Sequence, residues 1–196
     1  MPMPDDIEPG FKTTESWRST GAEANHDYYA LLGLDERYDI DRAALEASYL
    51  ARSRTVHPDR FVTAPPAQRV AALQASMQLN DAYKTLLRPL PRAEYLLVRH
   101  GVAIADNEAL DPGFLMEMLE LREELAEARG RGDQAVLGKL EQAMRDRQDA
   151  ALGDVAATFA RFEATGDASL LDAIKRRIIH LRYMARYLEE FDDGDD

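Results

Sequence analysis

The sequence contains no cysteine. Disulfides, a thiolate nucleophile and cysteine-ligated zinc or iron–sulfur sites are therefore excluded. Histidine is scarce: His26, His57, His100 and His180 are the only four, and none lies in an HExxH pair. Neither GxxxxGK[ST], GxGxxG nor GxSxG occurs, so phosphate cradles and the nucleophile elbow lack their backbone signature. No pair of carboxylates is fixed by spacing as a general acid and base. These gaps leave no cofactor and no metal to expect, and no enzymatic chemistry. No apolar run approaches the roughly 18 residues that a membrane helix needs. The opening residues MPMPDDIEPG have neither the basic nor the apolar region of a signal peptide, and a cytoplasmic protein is expected. Bases are few as well, 24 against 36 acids, for a net charge of -12. So acidic a chain makes a poor polyanion binder, and no nucleic-acid partner is expected.

What the sequence does have is helical periodicity. Of its 196 residues, 45% are hydrophobic and 31% charged, enough of both for a packed fold with a wet surface. Residues 1–25 are rich in Pro, Gly, Ser, Thr and acids, with Phe11 and Trp17 isolated, and read as a mobile extension. A short helix at Tyr28–Leu32 is stopped by Gly33. Asp41 caps a second, carrying Leu45, Tyr49, Arg52 and Val56. A third starts near Pro65-Pro66, with Val70, Leu73, Met77 and Leu86 read as one stripe, and ends near Arg88-Pro89. A fourth holds Tyr95, Leu96 and Val98 and stops at Gly101.

Beyond a linker at 99–111, Asp111-Pro112 opens a helix that stops at Gly130. Another runs from Asp133 to Ala164, and Asp167 caps a last one to Phe191. No strand-like alternation occurs. The expectation is an all-α chain: an antiparallel helical hairpin with short helices over 26–98, then a three-helix bundle over 112–191. An acidic tail follows at 192–196. Net charge is -3 over 1–25, zero over 26–98 and -9 over 99–196, so the parts present different electrostatic faces.

His57-Pro58-Asp59 separates the second and third helices, with Arg52, Arg54 and Arg60 beside it. Pro58 stiffens the turn, and the arginines suit an acidic partner. One reading is a purely structural interhelical turn with Asp59 as a cap. The other comes from context. A helix–HPD–helix unit preceded by a short Tyr-rich helix resembles the J-domain, which activates DnaK-type chaperones. That resemblance assigns chaperone contact to Arg52, Arg54, His57, Pro58, Asp59 and Arg60, the triad acting by allosteric contact rather than acid–base chemistry. Thr55 and Val56 stand where a Lys-Tyr pair is usual, a departure that bears on docking strength. The chain also lacks the Gly/Phe-rich stretch and zinc module of a general DnaJ.

The helix after Pro112 has two apolar faces. At about 100° per residue, Phe114, Met118, Leu121, Leu125 and Ala128 line one stripe. Leu115, Met116 and Leu119 fall on another arc, interleaved with Glu120 and Glu123. A helix in a small bundle cannot bury both, so the second arc is expected to be exposed. Partner binding, packing against the N-terminal half and self-association are the open readings. In the last helix Leu171, Ile174, Ile178, Leu181 and Leu188 share a stripe, while Tyr183 and Tyr187 read as lying across from it.

Three stretches resemble one family: HPDRF at 57–61, NDAYKTLLRPLPRAEYLL at 80–97 and FLMEMLELREEL at 114–125. Together they are similar to HscB, the J-domain co-chaperone of iron–sulfur cluster assembly. The resemblance covers about residues 26–191. It implies that the J-domain engages the HscA chaperone and raises its ATPase, while the bundle binds the scaffold protein IscU and delivers it. The family's scaffold-binding positions map onto Leu115, Met116, Leu119, Glu120, Glu123 and Tyr183. A J-domain protein with a different client is the alternative, as is a helical adaptor with a structural HPD turn.

Overall fold

In the computed structural model, residues 27–105 and 108–192 are described. The expected mobile extension at 1–25 lies outside these residues, as do 193–196 of the acidic tail. Seven α-helices and one 3-10 turn make up the described chain: α1 (Tyr28–Leu32), α2 (Arg42–Val56), the turn Pro58–Phe61, α3 (Pro66–Leu87), α4 (Pro89–Arg99), α5 (Pro112–Arg131), α6 (Gln134–Thr165) and α7 (Ser169–Asp192).

Caps place most boundaries. The Asp27, Asp41, Asp111 and Asp133 carboxylates each accept from a free backbone N–H in the first turn of the helix that follows. Pro58, Pro66, Pro89 and Pro112 stand at first-turn positions, where their missing N–H costs nothing. One stop differs from expectation. Gly130 lies inside α5, and the helix ends at Gly132, whose φ of 65° is the left-handed conformation that lets its N–H return to the Ala128 and Arg129 carbonyls.

α2 and α3 pair as an antiparallel hairpin. Tyr49 stacks on Tyr83 at 4.2 Å and its hydroxyl bonds the Asn80 side chain at 2.7 Å. α1 and α4 close over the hairpin's open end, with Tyr28 stacked on Tyr95 at 4.5 Å. The α3 stripe is not the expected one. Its buried face is Ala72, Leu79, Ala82 and Leu86, whereas Val70, Leu73 and Met77 are exposed by 51–56%. Met77 and Leu86 are nine residues apart, half a turn around the helix, and cannot share a face.

α5, α6 and α7 form the three-helix bundle. α7 is its central member and is buried over a wide arc. Ile174, Ile178, Leu181 and Leu188 are covered as expected, but so are Ile179, Met184 and Tyr187. Tyr187 is therefore a core residue, not a surface aromatic; its hydroxyl donates to the Leu121 carbonyl at 3.3 Å. A further contribution to α7's burial comes from α4, which packs against α7 and α6 and joins the two halves into one core.

That junction has three parts. Tyr38, from the loop between α1 and α2, stacks on Phe159 of α6 at 4.8 Å, and its N–H donates to Glu163 at 2.8 Å. His100 meets Phe162 edge-on at 4.8 Å. Between them Arg182 of α7 pairs with Glu94 of α4 at 2.6 Å. No helix among the described residues is long and apolar enough to cross a membrane. Among those residues, no group of three or more His, Asp and Glu side chains is placed to hold a metal ion.

Candidate functional sites

The first site is the hairpin's turn. α2 ends at Val56 because Pro58 disfavours helical geometry at His57, which takes ψ 127°. Pro58 then starts a single 3-10 turn. Asp59 N–H donates to His57 Nδ1 at 3.3 Å, and Arg60 N–H to the His57 carbonyl at 3.0 Å. Held through Nδ1, the ring leaves Nε2 as its other edge. Both side chains face water, His57 54% and Asp59 85% exposed. The loop is thus a preformed projection rather than a buried cap.

The arginines divide in a way their spacing conceals. Arg52 and Arg54 are two residues apart on α2, about 200° around it, so they do not make one face. Arg52 folds back towards α1. Its Nε donates to Ser48 at 3.3 Å, and the Ser48 hydroxyl in turn donates to the Leu32 carbonyl. A Cβ added at Gly33, whose φ is 65°, would collide with the Arg52 guanidinium. Arg54 stays exposed at the helix's last turn. Arg60 reaches back to the Arg54 carbonyl at 3.1 Å, a cation on the negative end of α2. The cationic surface beside His57 is therefore built by Arg54 and Arg60, with Arg52 displaced to the α1 side. Thr55 is exposed and bonds the Arg52 carbonyl at 2.6 Å, and Val56 is half-buried.

The second site lies on α5. Phe114, Met118, Leu125 and Ala128 are buried and Leu121 is half-buried, as the helical wheel requires. On the outer arc Leu115, Met116 and Leu119 are 43%, 58% and 46% exposed. No described residue from the hairpin half covers them, which removes interdomain packing as the explanation of this face. Glu120 and Glu123 are exposed between them and make no ion pair among the described residues. A neighbouring acid is committed: Arg147 of α6 binds both Glu117 oxygens, at 2.5 and 2.7 Å, and holds its carboxyl below the usual carboxylate range.

The anchoring of that arc was not legible from the sequence. Phe114 stacks on His180 of α7 at 4.0 Å and 4°, while Arg147 lies over the same ring at 5.5 Å. Burial pushes the His180 pKa down, against the smaller opposing pull of Asp111. Arg122 pairs with Glu190 at 2.8 Å. These contacts fix α5 against α7 directly beneath Leu115 and Leu119. Tyr183 stands on α7, half-buried, with Arg186 5.6 Å over its ring and the segment at Ala105 and Glu108 beside it. α5 packs on α6 and α7, whereas the His57 turn packs on α3, so the two sites are on separate halves.

The chain matches known proteins over both halves. A family model described as the HSCB C-terminal oligomerisation domain matches residues 110–192. The co-chaperone protein HscB homolog of Azoarcus sp. (strain BH72) is 34% identical over 174 residues, 88% of this chain and 95% of that one. The Bordetella petrii homolog of the same name is 45% identical over 125 residues, 63% of this chain and 72% of its own. Among solved structures, chaperone HscB from Vibrio cholerae is 33% identical with a TM-score of 0.75, covering 87% of this chain and 98% of that one. The human co-chaperone protein HscB is 27% identical with a TM-score of 0.77, covering 97% and 93%. Both share the architecture found here, a J-domain followed by a C-terminal helical bundle.

Proposed function

This chain belongs to the HscB family of co-chaperones, and from that premise we propose that it binds the IscU scaffold, delivers it to the DnaK-type chaperone HscA and stimulates HscA's ATPase in iron–sulfur cluster assembly. In this reading the protein catalyses nothing itself, works in the cytoplasm and needs no cofactor. The hydrolysed ATP is the chaperone's. His57, Pro58 and Asp59 act as a rigid contact on that partner, with Arg54 and Arg60 supplying the charge that steers it. Arg52 contributes from the α1 side.

The observation that supports the reading most is the outward arc of α5. Leu115, Met116 and Leu119 are exposed on a helix whose opposite side is locked into the bundle. A small apolar patch within an acidic rim is what a protein partner desolvates on binding. Glu120 and Glu123, which make no ion pair among the described residues, would select a partner carrying basic groups. Tyr183 would border the same contact from α7.

The test is HscA turnover with this protein alone, IscU alone, and both together. Synergy beyond either alone is expected. Stimulation without synergy would keep the chaperone contact and remove IscU as the client. No stimulation of a demonstrably active HscA would return the His57 turn to a structural role.

A further inference from the structure

The α5 arc is not the only exposed apolar surface. In the hairpin half Leu50, Val62, Val70, Leu73 and Met77 are 43–65% exposed. Val70, Leu73 and Met77 make a stripe at i, i+3 and i+7 along α3, about 10 Å long. Arg69 stands one turn before Leu73 and flanks the stripe. Residues 50–77 hold four arginines and a single acid, Asp59, for a net charge of +3. The function proposed above does not use this stripe.

A surface of matching chemistry lies on the other half of the same chain. Leu115, Met116 and Leu119 are apolar and exposed. Residues 115–124 around them hold four acids and one arginine, net -3. From Leu115 through Leu119 to Glu123 this strip runs about 12 Å along α5. The two strips are alike in length and opposite in charge, yet they do not meet within one molecule. α3 packs on α1, α2, α4 and the Pro58 turn, whereas α5 packs on α6 and α7. The Tyr38–Phe159 stack and the Glu94–Arg182 pair hold the halves in this arrangement, with both strips open to water at once. A strip that its own complement cannot reach is left for the complement on another molecule.

We propose that the α3 stripe of one copy docks on the α5 arc of a second copy, Val70, Leu73 and Met77 against Leu115, Met116 and Leu119, with Arg69 facing Glu120 and Glu123. The apolar side chains supply the area, and the charges set which surface each strip accepts. A like-on-like contact, α3 on α3 or α5 on α5, would instead bring charges of one sign together. One helix laid on another covers less than a standard interface of about 1,600 Å², so the association is weak and depends on concentration. The scaffold is assigned to the same α5 arc, so a second copy and the scaffold exclude each other. This last statement rests on the function proposed above; the contact between copies does not.

Sedimentation velocity of the full chain, from micromolar to near-millimolar concentration, reads the contact. The weight-average mass is expected to rise above that of a single chain. Leu73→Ser with Met77→Ser and, separately, Leu115→Ser with Leu119→Ser should each hold the protein at single-chain mass. These side chains are exposed already, so the fold should persist by circular dichroism. Mixed in equal amounts, the two variants should associate again, towards twice the single-chain mass, because one brings an intact α5 arc and the other an intact α3 stripe. A single-chain mass for the unaltered protein at every concentration would overturn the proposal. So would either variant associating as its parent does, which would mean a contact of another kind, or a mixture no heavier than its two components. The competition is read separately. Added IscU should disperse the assembly into complexes holding one copy of this chain. IscU that binds without dispersing it would remove the scaffold from the α5 arc and leave the contact between copies standing.

Discussion

Arg182 Nε donates to a carboxylate oxygen of Glu94 at 2.6 Å, across 88 residues of sequence and the boundary between hairpin and bundle. Glu94 is 1% exposed and Arg182 12%. Among the ion pairs of the described residues it is the least exposed to water.

That burial sets the first prediction. Arg182→Ala leaves a carboxylate desolvated without its guanidinium, which should cost about 3–5 kcal/mol of stability. Replacing both residues by leucine removes both desolvation penalties and should cost much less than Arg182→Leu and Glu94→Leu added together. Urea unfolding of the four proteins measures this coupling; additive single effects would disprove it.

His57→Gln should abolish ATPase stimulation while IscU affinity stays unchanged, since the turn and the α5 arc share no residue. Steady-state turnover and titration calorimetry read the two properties separately. Full stimulation by the variant would refute the J-domain role of this turn.

Leu115→Ser with Leu119→Ser should weaken IscU binding by about 2–4 kcal/mol, the range of a hot-spot pair. Both side chains are already in water in the free protein, so its unfolding midpoint should barely move. Equal affinity of variant and parent by calorimetry would exclude the mapped surface.

His180 gives a pH dependence with a definite sign. Burial lowers its pKa in the fold below the ordinary value near 6.5. Below that ordinary value the unfolded chain binds a proton that the native state resists. The stability His180 contributes is therefore complete above about pH 6.5 and is lost as pH falls towards the depressed native value. Buried or hydrogen-bonded carboxylates such as Glu117 contribute a loss of the same sign at lower pH. His180→Phe keeps a ring against Phe114 and should remove only the histidine part, visible as a flatter stability curve between pH 7 and 5.

Gly130 and Gly132 should respond oppositely to alanine. Gly130 is helical, and a Cβ there meets nothing within 4 Å, so Gly130→Ala should gain about 0.5–1 kcal/mol. Gly132 has a φ of 65°, and alanine there should lose about 1–2 kcal/mol. Thermal melts of the two variants decide where α5 ends.

These glycines show what local patterning can and cannot reveal. Helix starts were legible because Asp and Pro act within one turn of their own position. Stops were less so, since RGRGD offers two glycines and only tertiary packing chooses between them. The α5 arc was legible because one stripe, from Phe114 to Ala128, already satisfies the bundle and leaves Leu115, Met116 and Leu119 over. Tyr187 was not, since α7 is packed from several sides and its burial depends on α5 and α6. The α3 stripe departs from expectation because Met77 and Leu86 stand half a turn apart, one exposed and one buried. The Tyr38–Phe159 stack and the Glu94–Arg182 pair join residues more than 80 positions apart, and no window of sequence contains them.

The packed junction has a kinetic consequence. Two modules on a loose tether search for each other's cargo at a concentration set by tether length. Here α4 is docked on α7, and the chain after Arg99 carries no burden of orientation. On the function proposed above, a protein held on α5 would be offered to a partner engaged at His57 from one fixed bearing. In that reading presentation would replace encounter, and the handover would be a first-order event whose rate depends on the receiving machine rather than on a swinging arm.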